Sequence, residues 1–369
     1  MKKKKVAVAM SGGIDSSFAA YILKKQGFDV MGLTMNIVNP SGSNKHTRNQ
    51  KKENSFYKDP AEDARQVAKF LDIDHHSVDL REIFEKKIVA NFCREYSKGY
   101  TPNPCVRCNQ LLKFGVLLNK LKDYNADYLA TGHHSLIEFD KKTNRYILKK
   151  GKDREKDQSY FLYTLTQERL SRILMPVGNF RKKEIIKISL EIGLPAFKSK
   201  ESQEICFIPD DNYIKFLKER VPGSFSSGKI VDLEHNVLGY HKGIAHFTIG
   251  QRKGMGISHP QPLYVLHISA EDNTVTVGPD QCLHKKDLLA SNVNFISQKK
   301  IEAPQFVKAK IRYNQKESKA WISPAGKGKI KVKFSTPQRA ITPGQSVVFY
   351  WKDTVVGGGI IEKETEHSL

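Results

Sequence analysis

An apolar run, Val6 to Met10, ends in Ser11-Gly12-Gly13-Ile14-Asp15-Ser16-Ser17, and residues with helical spacing follow from Ser16 to Lys25 before Gly27 stops them. A buried strand that turns on paired glycines into a helix leaves few folds open, because the next apolar run, Val30 to Ile37, must then return parallel to the first in a βαβ unit. Glycines at such a junction let backbone N–H groups turn toward an anion, the serine hydroxyls add donors, and the helix start adds its positive end. A simpler reading of the same residues is a glycine turn with Asp15 or Ser16 as the N-cap. The loop lacks the Gly-Lys-Ser/Thr ending of a Walker loop, so no lysine within it reaches a γ-phosphate.

The alternation continues through the first two hundred residues. Asp59-Pro60 starts a helix whose apolar face is Ala64, Val67, Ala68 and Leu71, and His76–Leu80 and Tyr128–Thr131 read as further short strands. Strands separated by helices predict an α/β fold with a doubly wound, mostly parallel sheet. Residues 39–58, with Lys45, Arg48, Lys51 and Lys52 and no periodicity, are expected to form a mobile loop. Leu136–Phe139 and Tyr146–Leu148 suggest a hairpin, and helices are expected at 159–172 and 182–192. After about Arg220 the chain changes character to Gly, Pro and alternating β-formers, as in Tyr264–Ile268, Thr274–Val277, Lys329–Phe334 and Ser346–Tyr350. The expected division is a catalytic domain over 1–209, a small β-rich domain over 210–280 and a β-barrel over 281–369.

Charge and thiols narrow the chemistry. Sixty-one Lys and Arg against 39 Asp and Glu leave a net charge of +22 on 369 residues, an excess that points to a polyanionic partner. No run approaches the roughly 20 apolar residues of a membrane span, and the lysine-rich start precedes too short an apolar run for a secretion signal. No membrane partner and a cytoplasmic location are therefore expected. Five cysteines, with Cys105 and Cys108 two residues apart, argue against a disulfide scaffold. Cys105 and Cys108 lie in Thr101-Pro102-Asn103-Pro104-Cys105-Val106-Arg107-Cys108-Asn109, ahead of a helix through Leu111, Phe114 and Leu118; a thiol at that helix start beside Arg107 should have a lowered pKa. Cys206 stands in Glu201–Pro209 between two predicted helices, while Cys93 and Cys282 read as filler. Zinc would need a fourth ligand beyond Cys105, Cys108 and Cys206, whereas a three-cysteine iron–sulfur cluster with one open iron is chemically coherent.

The Ser-Gly-Gly-x-Asp-Ser loop resembles the pyrophosphate loop of the ATP pyrophosphatase superfamily, whose fold is adenine-nucleotide α-hydrolase-like. The whole chain resembles the bacterial-type tRNA-specific 2-thiouridylases more closely. Six motifs occur in that family's order: Ser-Gly-Gly-Ile-Asp-Ser, Thr-Pro-Asn-Pro…Cys-Asn, Lys156-Asp157-Gln158-Ser159-Tyr160-Phe161, Ile205-Cys206-Phe207-Ile208, Gly250-Gln251-Arg252-Lys253-Gly254-Met255-Gly256 and Thr342-Pro343-Gly344-Gln345-Ser346. The resemblance implies replacement of the 2-oxygen of the wobble uridine (position 34) in tRNAs for Lys, Glu and Gln by sulfur, with ATP and Mg²⁺, releasing AMP and pyrophosphate. It implies ATP binding by Ala9, Met10, Ser11, Gly12, Gly13, Ile14, Asp15, Ser16, Met35 and Gly132, with Asp15 helping to hold Mg²⁺. Cys206 would carry a persulfide and Cys108 would be the second catalytic cysteine, the two ending as a disulfide. Asn103, Pro104 and Cys105 would meet the target base, and Lys156, Asp157, Gln158, His133, Arg312, Tyr313 and Gln345 would contact tRNA.

Two departures stand out. Cys105 occupies a position where many relatives carry Asp, which favours the cluster on Cys105, Cys108 and Cys206 as an alternative route. His134 replaces a common aromatic and reads as a satisfied polar histidine. Phosphate contacts are expected from Arg145, Lys149, Lys150, Lys152, Arg154 and Lys156, and from Lys308, Lys310, Arg312, Lys329, Lys331 and Lys333. A persulfide donor such as a cysteine desulfurase or sulfur relay protein would be a partner, and a monomer is expected. Amide-forming or argininosuccinate-type ligases share the loop but need neither the thiols nor the charge, and a zinc-stabilised, non-catalytic RNA-binding protein would not need the loop.

Overall fold

Val6, Ala7 and Val8 have no exposed surface, which a strand achieves only when both faces of its sheet are covered. The computed structural model describes residues 3–37, 60–195, 205–208 and 212–363. Its contacts divide the chain into two compact units, Met1–Lys87 with Val106–Gln203, and Ile88–Cys105 with Glu204–Leu369.

The first unit begins β1 (Lys5–Ala9), α1 (Ile14–Lys25), β2 (Asp29–Asn36), α2 (Pro60–Phe70), β3 (Asp74–Asp79), α3 (Arg81–Phe84). The chain then passes through α4 (Ala90–Ser97) and α5 (Pro104–Cys108) to β4 (Tyr128–Thr131), a hairpin of β5 (Ser135–Asp140) and β6 (Arg145–Lys150), α6 (Gln167–Leu170), β7 (Ile173–Leu174) and α7 (Lys182–Glu191). A five-stranded sheet in the order β3-β2-β1-β4-β7 is parallel at every pairing. β1 therefore lies between β2 and β4, and the winding reverses at β1. In open α/β sheets that reversal opens a crevice at the carboxyl ends of the strands, and ligands bind there. Phe18 and Leu23 of α1, Val67 of α2 and Ile185 of α7 pack with Val6 and Val8 in one core, and Phe18 meets Phe180 edge-on at 5.0 Å.

The second unit contains α4, α8 (Tyr213–Arg220) and two β structures with separate cores. One is a four-stranded sheet of β8 (Gly228–Val231), β9 (Val237–His241), β10 (Tyr264–Ser269) and β11 (Thr274–Gly278), closed over Ile230, Val265, Ile268, Val275 and Val277. The other comprises β12 (His284–Phe295), β13 (Gln305–Lys310), β14 (Ser318–Pro324), β15 (Ile330–Arg339), β16 (Ser346–Trp351) and β17 (Thr354–Ile361). Their order, β12-β15-β14-β13-β16-β17, closes into a barrel because β12 pairs with β15 early and with β17 later. A register shift between Ser291 and Asn294, with Asn292 in the left-handed region at φ 49°, bends β12 between the two partners.

The parallel sheet, the hairpin and the barrel agree with the sequence reading. The helix expected over 159–172 is instead a single turn at Ser159–Leu162, then α6, then β7. Asp157 ties down the N–H and hydroxyl of Ser159, and Thr166 accepts from Arg169 N to restart the helix. The loop expected at 39–58 and the Asp59 cap lie outside the described residues.

Candidate active site

The junction of β1 and α1 is held by short polar contacts. Met10 N donates to Leu33 O at 2.8 Å, and the Thr34 hydroxyl donates to Met10 O at 2.9 Å, fixing the end of β1 against β2. Gly12 sits at φ 75°, a conformation that a side chain would strain. The helix N-cap is Gly13, with no side-chain cap, so neither Asp15 nor Ser16 fills that role. Ser16 and Ser17 instead donate to Gly13 O at 3.0 and 2.9 Å, and Ser16 Oγ accepts from Ser11 N at 3.2 Å. The first turn of α1 thus carries backbone donors without a side-chain cap at the mouth of the crevice, the arrangement that binds phosphate. Across the crevice, Gly132 follows β4 so closely that a Cβ there would stand 2.6 Å from Ser16 N and 2.7 Å from Asp15 C. Met35 lies half-buried at the carboxyl end of β2.

Asp15 is the charged centre of this loop. Both its oxygens accept from Lys182 Nζ at 2.7 Å, and His134 Nε2 stands 3.2 Å from Oδ1. Burial pushes the Asp15 carboxyl up, but His134 and Lys182 outweigh it and hold the group below the usual carboxylate value. His134 is not the satisfied histidine expected from the sequence: it is buried, and neither ring nitrogen has a well-formed hydrogen bond. Lys182 opens α7, and its N–H donates to Asp153 at 2.9 Å. Sequence reasoning passed over Lys182. A signal was present, because Arg181, Lys182 and Lys183 put cations at a helix N-terminus, where the dipole opposes them. Mg²⁺ sites combine one or two carboxylates with substrate phosphates; to join one, Asp15 would have to exchange its Lys182 contact for the ion.

The thiols differ among themselves. Cys108 ends α5, but the helix continues as a wider turn through Asn109–Leu117, so its thiol is not at a helix start. Arg107 Nε donates to Lys87 O at 2.7 Å. Burial pushes the Cys108 thiol above its ordinary value and Lys113 only partly offsets this, which reverses the lowered pKa expected from the sequence. Cys206 is exposed at the tip of a turn closed by Ile208 N donating to Ile205 O at 2.9 Å. Phe207 anchors that turn, its ring 5.4 Å from Phe92 and 5.5 Å from Phe216. Cys105 is also exposed, Asn103 is half-buried and Pro104 buried, while Cys93 is buried on α4 as filler should be. Among the described residues, no three His, Cys, Asp or Glu side chains converge to hold a metal ion.

The residues that resemblance assigned to tRNA divide by environment. His133 is buried, with Nδ1 2.8 Å from the Thr131 hydroxyl; burial, then Lys113 and His134, hold it neutral. Asp157 is buried too, its carboxylate accepting from Gly151 N and from Ser159. Both shape the fold around β4 and β6 and offer little surface to RNA. Gln158 Oε1 accepts from His134 N at 3.0 Å, and Lys156 is half-buried. In the second unit, Arg312 donates to Ala340 O and to the Thr342 hydroxyl, both at 2.7 Å, and Tyr313 lies under Lys310. Gln345 Nε2 donates to Thr101 O at 2.8 Å, and Thr101 N donates to Pro343 O at 3.0 Å. Gly344, at φ 89°, lets the turn approach Thr101, so Thr342–Gln345 carries the segment leading to Asn103 and Cys105.

Comparison with known proteins agrees with this arrangement. The family described as tRNA methyl transferase HUP domain matches residues 4–210, its PRC-barrel domain matches 214–279, and an aminomethyltransferase beta-barrel domain matches 285–361. The chain is 52% identical to tRNA-specific 2-thiouridylase MnmA 2 of Thermoanaerobacter sp. over 98% of both chains. The chain belongs to the tRNA-specific 2-thiouridylase family. Identity to the MnmA proteins of Acetivibrio thermocellus and Clostridium perfringens is 48%, over 98% of this chain and 100% and 99% of theirs. The methyl transferase wording of the domain description does not extend to these full-length relatives, which are named for thiolation. A solved U34-tRNA thiolase NcsA from Methanococcus maripaludis aligns at 16% identity and a TM-score of 0.35, covering 60% of this chain and 67% of its own. No helix of the described residues is long and apolar enough to cross a membrane.

Proposed function

We propose that the protein converts the wobble uridine of tRNA to 2-thiouridine in two stages, one at each of the features just described. The α1 N-terminus carries this reading: a glycine-capped helix start at the sheet's switch point, with Lys182 beside it, suits the phosphates of ATP. There the uridine 2-oxygen attacks the α-phosphorus and pyrophosphate leaves, producing an O-adenylated base. Backbone N–H groups of the loop and Lys182 stabilise the negative charge that grows on the leaving group. Mg²⁺ held by Asp15 would screen the same charge when bound.

In the second stage the terminal sulfur of a Cys206 persulfide attacks C2, and AMP departs with the former 2-oxygen. Cys108 sulfur then attacks Cys206 Sγ and breaks the S–S bond. The base keeps the transferred sulfur, and a Cys108–Cys206 disulfide forms that a dithiol reductant must reopen. Exposure of Cys206 suits loading by a persulfide donor such as a cysteine desulfurase. The raised Cys108 pKa suits a group that waits protonated until its turn. Asn103, Pro104 and Cys105 meet the base, and the +22 charge supplies much of the affinity for tRNA. We further read the chain as a cytoplasmic monomer of three domains, 1–209, 210–280 and 281–369, acting on tRNAs of the Lys, Glu and Gln type.

Nucleoside mass spectrometry tests this. Unmodified tRNA, Mg²⁺-ATP and a persulfide source should yield 2-thiouridine with the native protein and none with Cys206→Ser. Cys105 favours a second reading, an iron–sulfur cluster on Cys105, Cys108 and Cys206. Activity of colourless, metal-free protein in air would exclude it; activity only after anaerobic reconstitution would replace the persulfide scheme.

A further inference from the structure

The outer wall of the barrel carries a feature that the reaction above does not use. Along β13, β14 and β15 alternate residues point inward, so Val307, Ala309, Ala320, Ile322, Val332 and Phe334 fill the barrel. The outward positions bring Phe306, Trp321 and Lys333 side by side across the strands, with Lys308 directly opposite Lys319 one pleat further on. Trp351, at the end of β16, completes the strip: the Phe306 ring lies 5.6 Å from Trp321 and 6.5 Å from Trp351, edge-on to both. The chain has two tryptophans, and these are they, 50% and 52% exposed.

Two costs are visible here. Large aromatic rings half open to water forgo burial that a barrel wall could do without. Lysines directly opposite each other on antiparallel strands repel. Lys308, Lys319 and Lys333 have no acidic partner among the described residues, whereas Lys329 pairs with Glu362 and Lys331 with Asp287. No outward position of the three strands is acidic.

Exposed rings between unpaired cations match single-stranded nucleic acid, whose bases stack on aromatic faces while its phosphates take the lysines. We propose that Phe306, Trp321, Trp351, Lys308, Lys319 and Lys333 form a stacking surface for an unpaired stretch of the tRNA substrate, distinct from the positions Arg312, Tyr313 and Gln345 that the family resemblance assigns to tRNA. The proposal rests on the tRNA reading above and adds to it the aromatic platform and its place on the barrel.

Because both tryptophans lie in the strip, fluorescence excited at the red edge, where the chain's 14 tyrosines do not absorb, reports on it alone. Acrylamide quenching of the full chain is measured while an unmodified lysine-type tRNA transcript is titrated in, with binding followed separately by anisotropy of end-labelled tRNA. Shielding of the tryptophans should saturate together with binding. Trp321→Ala should weaken binding about tenfold and Trp321→Phe should restore it. Lys308→Gln with Lys319→Gln, which removes a repulsion and leaves folding intact, should reduce the salt slope of binding by about 1.5. Binding without shielding would overturn the platform and leave the tRNA reading standing. Absence of binding by anisotropy would overturn both. Equal shielding by polyglutamate would mark a general surface for acidic chains and overturn the RNA assignment.

Discussion

The nucleotide loop and the Cys206 turn are built by opposite means. At the loop the main chain does the work: strand order places it, Gly12 and Gly13 shape it, and Gly132 approaches within a methyl group's width of Ser16 and Asp15. Its one carboxylate is paired in place with Lys182, and the His134 ring stands 3.2 Å from it. At the Cys206 turn a side chain does the work, because Phe207 buried against Phe92 and Phe216 leaves the adjacent thiol open to solvent. Charge developing on a phosphate is stabilised best by dipoles fixed in advance, whereas the sulfur-carrier role proposed for Cys206 needs access.

Gly132→Ala should have the largest effect on the nucleotide side. Its Cβ would fall 2.6 Å from Ser16 N, forcing β4 and α1 apart, and tRNA-dependent pyrophosphate release should drop by about 100-fold. Unchanged release would mean that the close approach is incidental. Phe207→Ala tests the other construction. Removing a buried ring should cost about 3 kcal/mol in chemical denaturation of the second unit. ATP affinity should stay within about twofold, and a larger loss would show that the two sites are not separately built.

Gln345→Ala sharpens the comparison within the second unit. If the Thr342–Gln345 turn acts by carrying the Thr101–Cys105 segment, the thiolation kcat should fall about tenfold while tRNA affinity holds. A loss confined to tRNA affinity would make Gln345 a direct contact. The smallest effect concerns pH. His133 is buried with its pKa well below 6.5, so the unfolded chain takes up a proton that the folded chain refuses. Its contribution is flat above pH 6.5 and turns destabilising as pH falls below that value, by at most about 1.4 kcal/mol per unit. Thermal melts at pH 7.5 and 5.5 should therefore differ less in His133→Gln than in the native chain.

The fold was legible where one period dominates. Val6–Met10 and Leu129–Ala130 are apolar because the parallel sheet is covered on both faces, and the β13–β15 alternation marks a barrel wall. The 159–172 stretch reads as one helix because Tyr160, Leu162, Tyr163 and Leu165 are apolar and all buried, a pattern that does not reveal the breaks made by Asp157 and Thr166. The loop residues of the site were legible from local sequence. Lys182 showed only as one of three cations at a helix start; its pairing with Asp15, 167 positions away, was not legible. Nor could sequence show that Cys108 lies four residues past the helix start at Pro104, where burial outweighs the nearby Lys113.

A pyrophosphate burst tests most directly the claim that nucleotide activation and sulfur transfer belong to separately built sites. Cys206→Ser, mixed with unmodified tRNA and Mg²⁺-ATP, should release about one pyrophosphate per enzyme in the first turnover and form no 2-thiouridine; Lys182→Met should show no burst. A Cys206→Ser protein that releases no pyrophosphate while still binding ATP and tRNA would contradict the account, because the exposed thiol would then be part of the activation step.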